Sequence, residues 1–222
     1  MQGAESIVWR TADDIVAEAG DQLTEAGAAR AVVDSLPARS ALVLGNSLPI
    51  RDVETWTRPN DKRLSVYCQR GVSGIDGVVS GAAGVASMVD GPTTLLIGDV
   101  SFLHDLNGLQ LASRALAPLA IVVIQNGGGR IFDQLPIAHG GKKSWLPYFT
   151  TPHGADFRSA AAAYRCAFSS ASTVSGLREA LEAAYARPGC TVLEAVVSPH
   201  SALELGRELL ERVERALRRE AC

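Results

Sequence analysis

Two segments limit the fold more than anything else in the chain. Thr93–Ile97 (TTLLI) and Ala120–Gln125 (AIVVIQ) are apolar at adjacent as well as alternate positions. A strand with one wet face alternates apolar and polar residues, so a run without alternation reads as a strand covered on both faces, as in parallel sheets. Four further short runs, bounded by Gly, Asp, Asn or Pro, are strand candidates: Ala41–Leu44, Leu64–Cys68, Cys166–Ser169 and Thr191–Val197. Between the runs fall helical candidates at Ile50–Thr55, Gly77–Met88, His104–Ala115, Thr173–Ala186 and Ser201–Arg219, with one or two more in Ala12–Leu36. Strand and helix in alternation predict an α/β fold, a doubly wound and mainly parallel sheet of about six strands with right-handed crossovers.

No repeat or low-complexity linker divides the 222 residues, so the chain reads as a single domain over 1–222, with 1–39 as lead-in helices. Hydrophobic residues make up 47% and charged residues 20%, which excludes a disordered composition. A formal charge of -3 offers no general basic field, so nucleic acid is not an expected partner. The C-terminal Glu208–Arg219 alternates arginines with acids and reads as the solvated face of a helix. Cys68, Cys166, Cys190 and Cys222 are scattered without a CxxC, as in a reduced protein. No apolar run approaches ~20 residues, so no membrane span is expected and the cytoplasm is the default location.

In doubly wound sheets ligands bind beyond the carboxyl ends of the strands. TTLLI ends in Gly98-Asp99, and AIVVIQ ends in Asn126 followed by three glycines. Consecutive parallel strands are often neighbours, so Asp99 and Asn126 are expected at the same edge of the sheet. A carboxylate, a carboxamide oxygen and exposed backbone carbonyls are hard oxygen ligands of the kind magnesium takes, with the rest of its shell borrowed from phosphate and water. A diphosphate is too negative for Asp99 to approach without a cation between them. An Asp closing a strand is also commonly a turn or cap residue. The spacing, Gly98-Asp99 and then Asn126 one βαβ crossover later, distinguishes the two readings and matches the thiamine-diphosphate fingerprint. Gly71, Gly74 and Gly77 are spaced GxxGxxG rather than GxGxxG, which argues against a dinucleotide site.

Four phrases, in order, are more particular: GNSLPIRD (45–52), RGVSGIDGVVSGAAGVA (70–86), GDVSFLHDLNGL (98–109) and PLAIVVIQNGGGRIFDQLP (118–136). Together they resemble the SEPHCHC synthase family of menaquinone biosynthesis, and correspond to about the last third of its members. The resemblance implies the thiamine-diphosphate-binding fold, with thiamine diphosphate and magnesium (manganese as the substitute ion) as cofactors. It implies decarboxylation of 2-oxoglutarate and addition of the product to isochorismate. Asp99, Asn126 and the carbonyl of Gly128 would hold the metal. Ile75 would support the bent cofactor, and Ser73, Gly74, Ser101, Ile131 and Phe132 would line its pocket. Ser47, Arg51 and Arg70 would bind the dicarboxylate substrates, a role that suits guanidinium. Family members commonly carry Asn at the position of Gln125 and Asp or Asn at that of Gly127.

No residue here takes the place of the family's activating glutamate, so the pyrimidine-binding and central domains are expected to be absent and a partner domain or subunit to be required. A non-catalytic thiamine-diphosphate-binding module, or part of another thiamine-dependent decarboxylase or ligase, are the alternatives. Ile75, Ile131 and Phe132 are expected to be exposed, favouring a homo-oligomer. His104 and Asp105 are expected to start the crossover helix, and His139 and His153 to lie in or beside a long loop over 126–151.

Overall fold

The apolar runs form one sheet. The computed structural model describes residues 2–139 and 146–220. Its strands are β1 (Ala41–Leu44), β2 (Ser65–Cys68), β3 (Thr93–Gly98), β4 (Pro118–Gln125), β5 (Ala167–Ala171) and β6 (Gly189–Val196). All pair in parallel in the order β2-β1-β3-β4-β6-β5. In the two central strands every residue from Thr93 to Ile97 and from Leu119 to Ile124 is buried, as runs without alternation require.

Alternate residues of the strands feed two separate cores. Leu42, Leu96, Val122 and Leu193 pack on one face against α2 (Glu25–Ser35) and α9 (Val174–Tyr185). Val43, Leu95, Ile121 and Val192 pack on the other against α4 (Val78–Ala86), α5 (Asp99–His104), α6 (Leu109–Ala112) and α8 (Phe157–Ala163). A third, smaller cluster joins α1 (Gln2–Glu18) to α3 (Leu48–Trp56) and α10 (Ser201–Glu220) through Ile15, Trp56 and Leu209. No helix among the described residues is long and apolar enough to cross a membrane.

Several elements differ from the sequence expectation. The N-terminal helices begin at Gln2 rather than Ala12, and α8 has no counterpart among the expected helices. The segment 126–151 contains two 3-10 turns, Arg130–Gln134 and Pro136–His139, and a short helix α7 (Leu146–Thr150). Trp145 lies outside the described residues, whereas Phe149 meets the Phe132 ring edge-on at 5.4 Å. The expected helix His104–Ala115 is instead α5, a 3-10 turn over Leu106–Gly108 and α6. The break falls at Asp105, whose φ of -122° and ψ of 37° leave the helical region; past it the chain packs so close to α4 that a Cβ on Gly108 would stand 2.8 Å from the backbone nitrogen of Ser80. His104 therefore ends a helix instead of starting one. Asp105 accepts hydrogen bonds from the backbone N–H and hydroxyl of Ser80, in the first turn of α4. An acid does serve a helix N-terminus here, but on a neighbouring helix.

Phe102 and Phe157 are buried and meet edge-to-face at 5.3 Å, tying α5 to α8. Replacing either by Ala should destabilise the chain by about 3–5 kcal/mol. In urea unfolding the double variant should lose about 1 kcal/mol less than the sum, because the ring pair is removed once.

Candidate active site

The strand order creates a crevice. From β1 the chain turns outward to β2, whereas from β3 it turns the other way to β4. The segments leaving β1 and β3 therefore diverge at the carboxyl ends of two neighbouring strands, the position where open α/β sheets bind ligands. A cleft of about 380 Å³ lies there, continuous with a narrow floor bounded by Asp99, Asn126 and Gly128.

Asp99, the first residue of α5, is buried at the floor. Its Oδ1 accepts from the Val100 amide at 2.7 Å, and its Oδ2 accepts from the amides of Gly127 and Gly128, each at 2.9 Å. Three backbone donors offset the cost of burying the charge. Gly128 has φ +134°, and a Cβ there would stand 2.1 Å from the Thr150 carbonyl oxygen. Gly129 in turn donates to that carbonyl at 2.7 Å, so α7 is held against the glycine turn.

Asn126 is buried next to Asp99. Its Nδ2 donates to Glu25 at 3.1 Å, while its Oδ1 is buried and has no hydrogen-bond partner. A buried carbonyl oxygen left unpaired costs roughly 1–3 kcal/mol and calls for an explanation. A carboxylate, an unpaired carboxamide oxygen and the neighbouring carbonyl of Gly128 form a donor set that could hold a hard cation. The Gly128 carbonyl already accepts from the Arg130 amide at 2.8 Å, which occupies one of its two lone pairs.

Ser47, Arg51, Arg70, Ser73, Ile75, Ser101, Ile131 and Phe132 all line the wider cleft, so the geometry assembles the sequence-predicted set around one opening. Gly74 is the exception; it is exposed, and its carbonyl accepts from Asn46 Nδ2. Ile75, Ile131 and Phe132 are only half exposed, contrary to expectation, since they form walls of the cleft. Exposed apolar side chains are scattered: Val66, Tyr67 and Val72 lie on edge strand β2 and its following turn, Met88, Leu111 and Leu116 lie elsewhere, and Phe149 stands at the cleft itself. Arg51 donates to the Ser47 carbonyl and Arg70 to Asn46 Oδ1 (3.1 Å), each through one nitrogen of its fork. Ser47 and Ser73 have φ of 74° and 55°, a left-handed conformation uncommon outside glycine, and both border the cleft.

Four contributors are not evident from the sequence. Asn46 ties the turn after β1 to the 69–74 segment, and its only signal is its place in the first phrase. His153 brings Nε2 to 3.2 Å from Asp99 Oδ2, while its Nδ1 accepts from the Ala155 amide. His139 has no described side chain. Glu25 and Asp52 are buried acids behind the floor. Burial holds the Glu25 carboxyl above its usual range, opposed by hydrogen bonds from Ser201 and Asn126. Burial, reinforced by the Glu25 charge and opposed by Arg51, raises Asp52 to about 8.

Asp52 carries a stability consequence. Between pH 4 and 8 its carboxyl ionises in the unfolded chain but stays protonated in the fold, so its contribution falls as pH rises and levels off above about 8. Asp52→Asn should therefore gain several kcal/mol over the native chain at pH 8 and close to none at pH 4, as read by urea midpoints. Separately, Gly128→Ala should destabilise by at least about 2 kcal/mol in the same assay, since a strained φ and a backbone clash coincide.

A family model for the thiamine pyrophosphate enzyme C-terminal TPP binding domain matches residues 55–195. The 2-succinyl-5-enolpyruvyl-6-hydroxy-3-cyclohexene-1-carboxylate synthase of Sorangium cellulosum is 51% identical over 186 residues, covering 82% of this chain and 30% of that protein. The enzyme of the same name from Bacillus velezensis is 40% identical, covering 83% and 32%. The chain thus spans about a third of the length of these curated relatives. Among solved structures, benzoylformate decarboxylase from Polynucleobacter necessarius superposes with a TM-score of 0.67 at 19% identity, covering 80% of this chain and 33% of the other, a likeness of fold. With a family model that spans well over half of its residues, this chain belongs to the C-terminal thiamine pyrophosphate-binding domains of thiamine pyrophosphate enzymes.

Proposed function

We propose that this chain supplies the diphosphate- and metal-holding half of a SEPHCHC synthase active site, in which 2-oxoglutarate is decarboxylated and the product added to isochorismate. The observation that carries the proposal is the unpaired, buried Asn126 Oδ1 beside the Asp99 carboxylate at the crevice floor. The sequence relatives supply the reaction class through their names.

In this reading Asp99, Asn126 and Gly128 hold magnesium, or manganese in its place, against the diphosphate. Thiamine diphosphate, when bound, provides the nucleophilic carbon and the electron sink that decarboxylation of a 2-oxo acid requires. The chain's own side chains do the rest by placement. Ile75 supports the cofactor from one wall, while Ile131 and Phe132 keep water from the reacting end. Ser73 and Ser101 contribute polar contacts along its length, and Gly74 acts behind them, its carbonyl tied to Asn46. Arg51 and Arg70, with Ser47 between them and the floor, take the substrate carboxylates through the fork nitrogens not already engaged. No acid lines the wider part of the cleft among the described residues. The resemblance to the family implies that the glutamate that activates the aminopyrimidine comes from a pyrimidine-binding domain docked over the opening, and the chain's coverage of only about a third of its relatives supports that reading. Assembly as an oligomer in the cytoplasm is part of the same proposal, supported by apolar side chains exposed along β2.

Calorimetric titration of thiamine diphosphate, with magnesium and then with chelator, tests the site. Binding should require the metal and weaken at least ~100-fold in Asp99→Ala, which loses a charged ligand. Metal-independent binding, or binding unchanged in that variant, overturns the assignment. In the enzyme reconstituted with a pyrimidine-binding domain, Arg70→Ala should raise the KM for a dicarboxylate substrate by about 10–100-fold, the worth of a charge-assisted contact. Cofactor affinity should stay within about threefold of the native value, since the guanidinium is assigned to substrate.

A further inference from the structure

We infer that Glu25 is a positioning residue for the metal site, a buried carboxylate that fixes which end of the Asn126 carboxamide faces the cation. The inference rests on the reading of Asp99, Asn126 and Gly128 as the metal-binding set.

A carboxamide has an oxygen at one end and an amino group at the other, nearly equal in size and opposite in hydrogen-bonding sense. Nothing in the shape of Asn126 prevents it from turning N–H groups toward a cation, where they would repel it. Its neighbour decides the matter. Glu25 Oε1 accepts from Asn126 Nδ2 at 3.1 Å, and both side chains are buried. Turning the amide over would set oxygen against oxygen at that distance and point the amino group at the Asp99 side of the floor. The observed orientation leaves Oδ1 unpaired, which makes sense if a cation completes it. Outer partners that orient metal ligands in this way are a general feature of metal sites.

Glu25 is itself held from two sides. It is the first residue of α2, directly after Thr24, whose hydroxyl oxygen caps the helix by accepting from the Gly27 amide at 3.0 Å. Its other oxygen, Oε2, accepts from the hydroxyl of Ser201, the first residue of α10. Two helix N-termini thus converge on one carboxyl group, and the positive ends of both dipoles favour its charge. Protonation would not undo the arrangement. A proton on Oε2 could be donated to Ser201 while Oε1 continues to accept from Asn126. The segment before β1 and the last helix of the fold meet behind the metal site and bear on it through this one side chain.

The test uses the full chain and Mn²⁺ affinity read by electron paramagnetic resonance, with thiamine diphosphate present. Glu25→Leu keeps the volume and removes the acceptor, and should weaken Mn²⁺ binding by about 10–100-fold. Glu25→Gln can still accept from Asn126 while donating to Ser201, and should stay within about threefold of the native chain. A second arm covers the case in which Glu25→Leu does not fold. Asn126→Asp places a carboxylate against Glu25 and should lose metal affinity, whereas adding Glu25→Gln should restore at least tenfold of it, a coupling that mere packing would not produce. Asp99→Ala is the control for the site as a whole. If Mn²⁺ binding depends on Asp99 but Glu25→Leu binds as tightly as the native chain, Glu25 is structural only and the inference fails alone. It fails in the same way if Glu25→Gln gives no rescue of Asn126→Asp. If Asp99→Ala makes no difference, the metal reading fails and the role of Glu25 with it.

Discussion

A single carboxylate oxygen, Asp99 Oδ2, joins the end of β3 to the turn after β4 by accepting from Gly127 and Gly128. The rest of the site depends on that clamp. The two amides fix the path of the glycine turn, and the turn sets the Gly128 carbonyl and the Thr150 carbonyl that packs against it. Without the clamp the buried Gly128 amide would lose its acceptor, a cost on the order of 1–3 kcal/mol, and the Gly127 amide would keep only its bond to Gln125 Oε1. Asn126, at the head of the same turn, shares the floor with Asp99 and is held from behind by Glu25.

Charge is layered along the cleft. Acids occupy the floor and its underside at Asp99, Asp52 and Glu25, the walls are apolar at Ile75, Ile131 and Phe132, and guanidinium groups stand at Arg51 and Arg70. The layering is compatible with the proposed metal-bearing diphosphate at the floor and with a second anionic molecule at the arginines. Raised carboxyl groups at Asp52 and Glu25 moderate the negative field beneath the floor, where three full charges close together would oppose one another.

Much of this is legible in the sequence, for definite reasons. TTLLI and AIVVIQ announce buried parallel strands because no residue in them can face water. Gly98-Asp99 and Asn126 announce the floor because strand ends are where such sheets place their chemistry. The differences have equally definite causes. The crossover helix reads as continuous through Asp105–Gly108, since the bonds from Ser80 to Asp105 at the break are tertiary contacts that no periodicity encodes. Ile75, Ile131 and Phe132 read as surface residues because only the folded loop brings them together as walls. Glu25 is invisible in the sequence for a different reason. It precedes Asn126 by 101 residues and Ser201 by 176, and an acid at the first position of a helix looks like ordinary dipole compensation.

Some unfavourable features lie at the amino ends of the strands, where Arg39, Arg63 and Arg165 take positive φ and the buried Thr93 hydroxyl is unpaired. Ser47 and Ser73 in left-handed conformations, the unpaired Asn126 oxygen and the raised Asp52 carboxyl all gather at the carboxyl ends of the strands. The central strands and the helices packed on them show the opposite character: close apolar packing and parallel ladders in full register. Strain of this kind persists only where surrounding structure over-determines it. The sheet can hold the cleft in a costly geometry because β3 and β4 are buried on both faces. A ligand that satisfied the Asn126 oxygen would remove part of that cost, and binding to the folded form alone would stabilise the domain in proportion to its affinity.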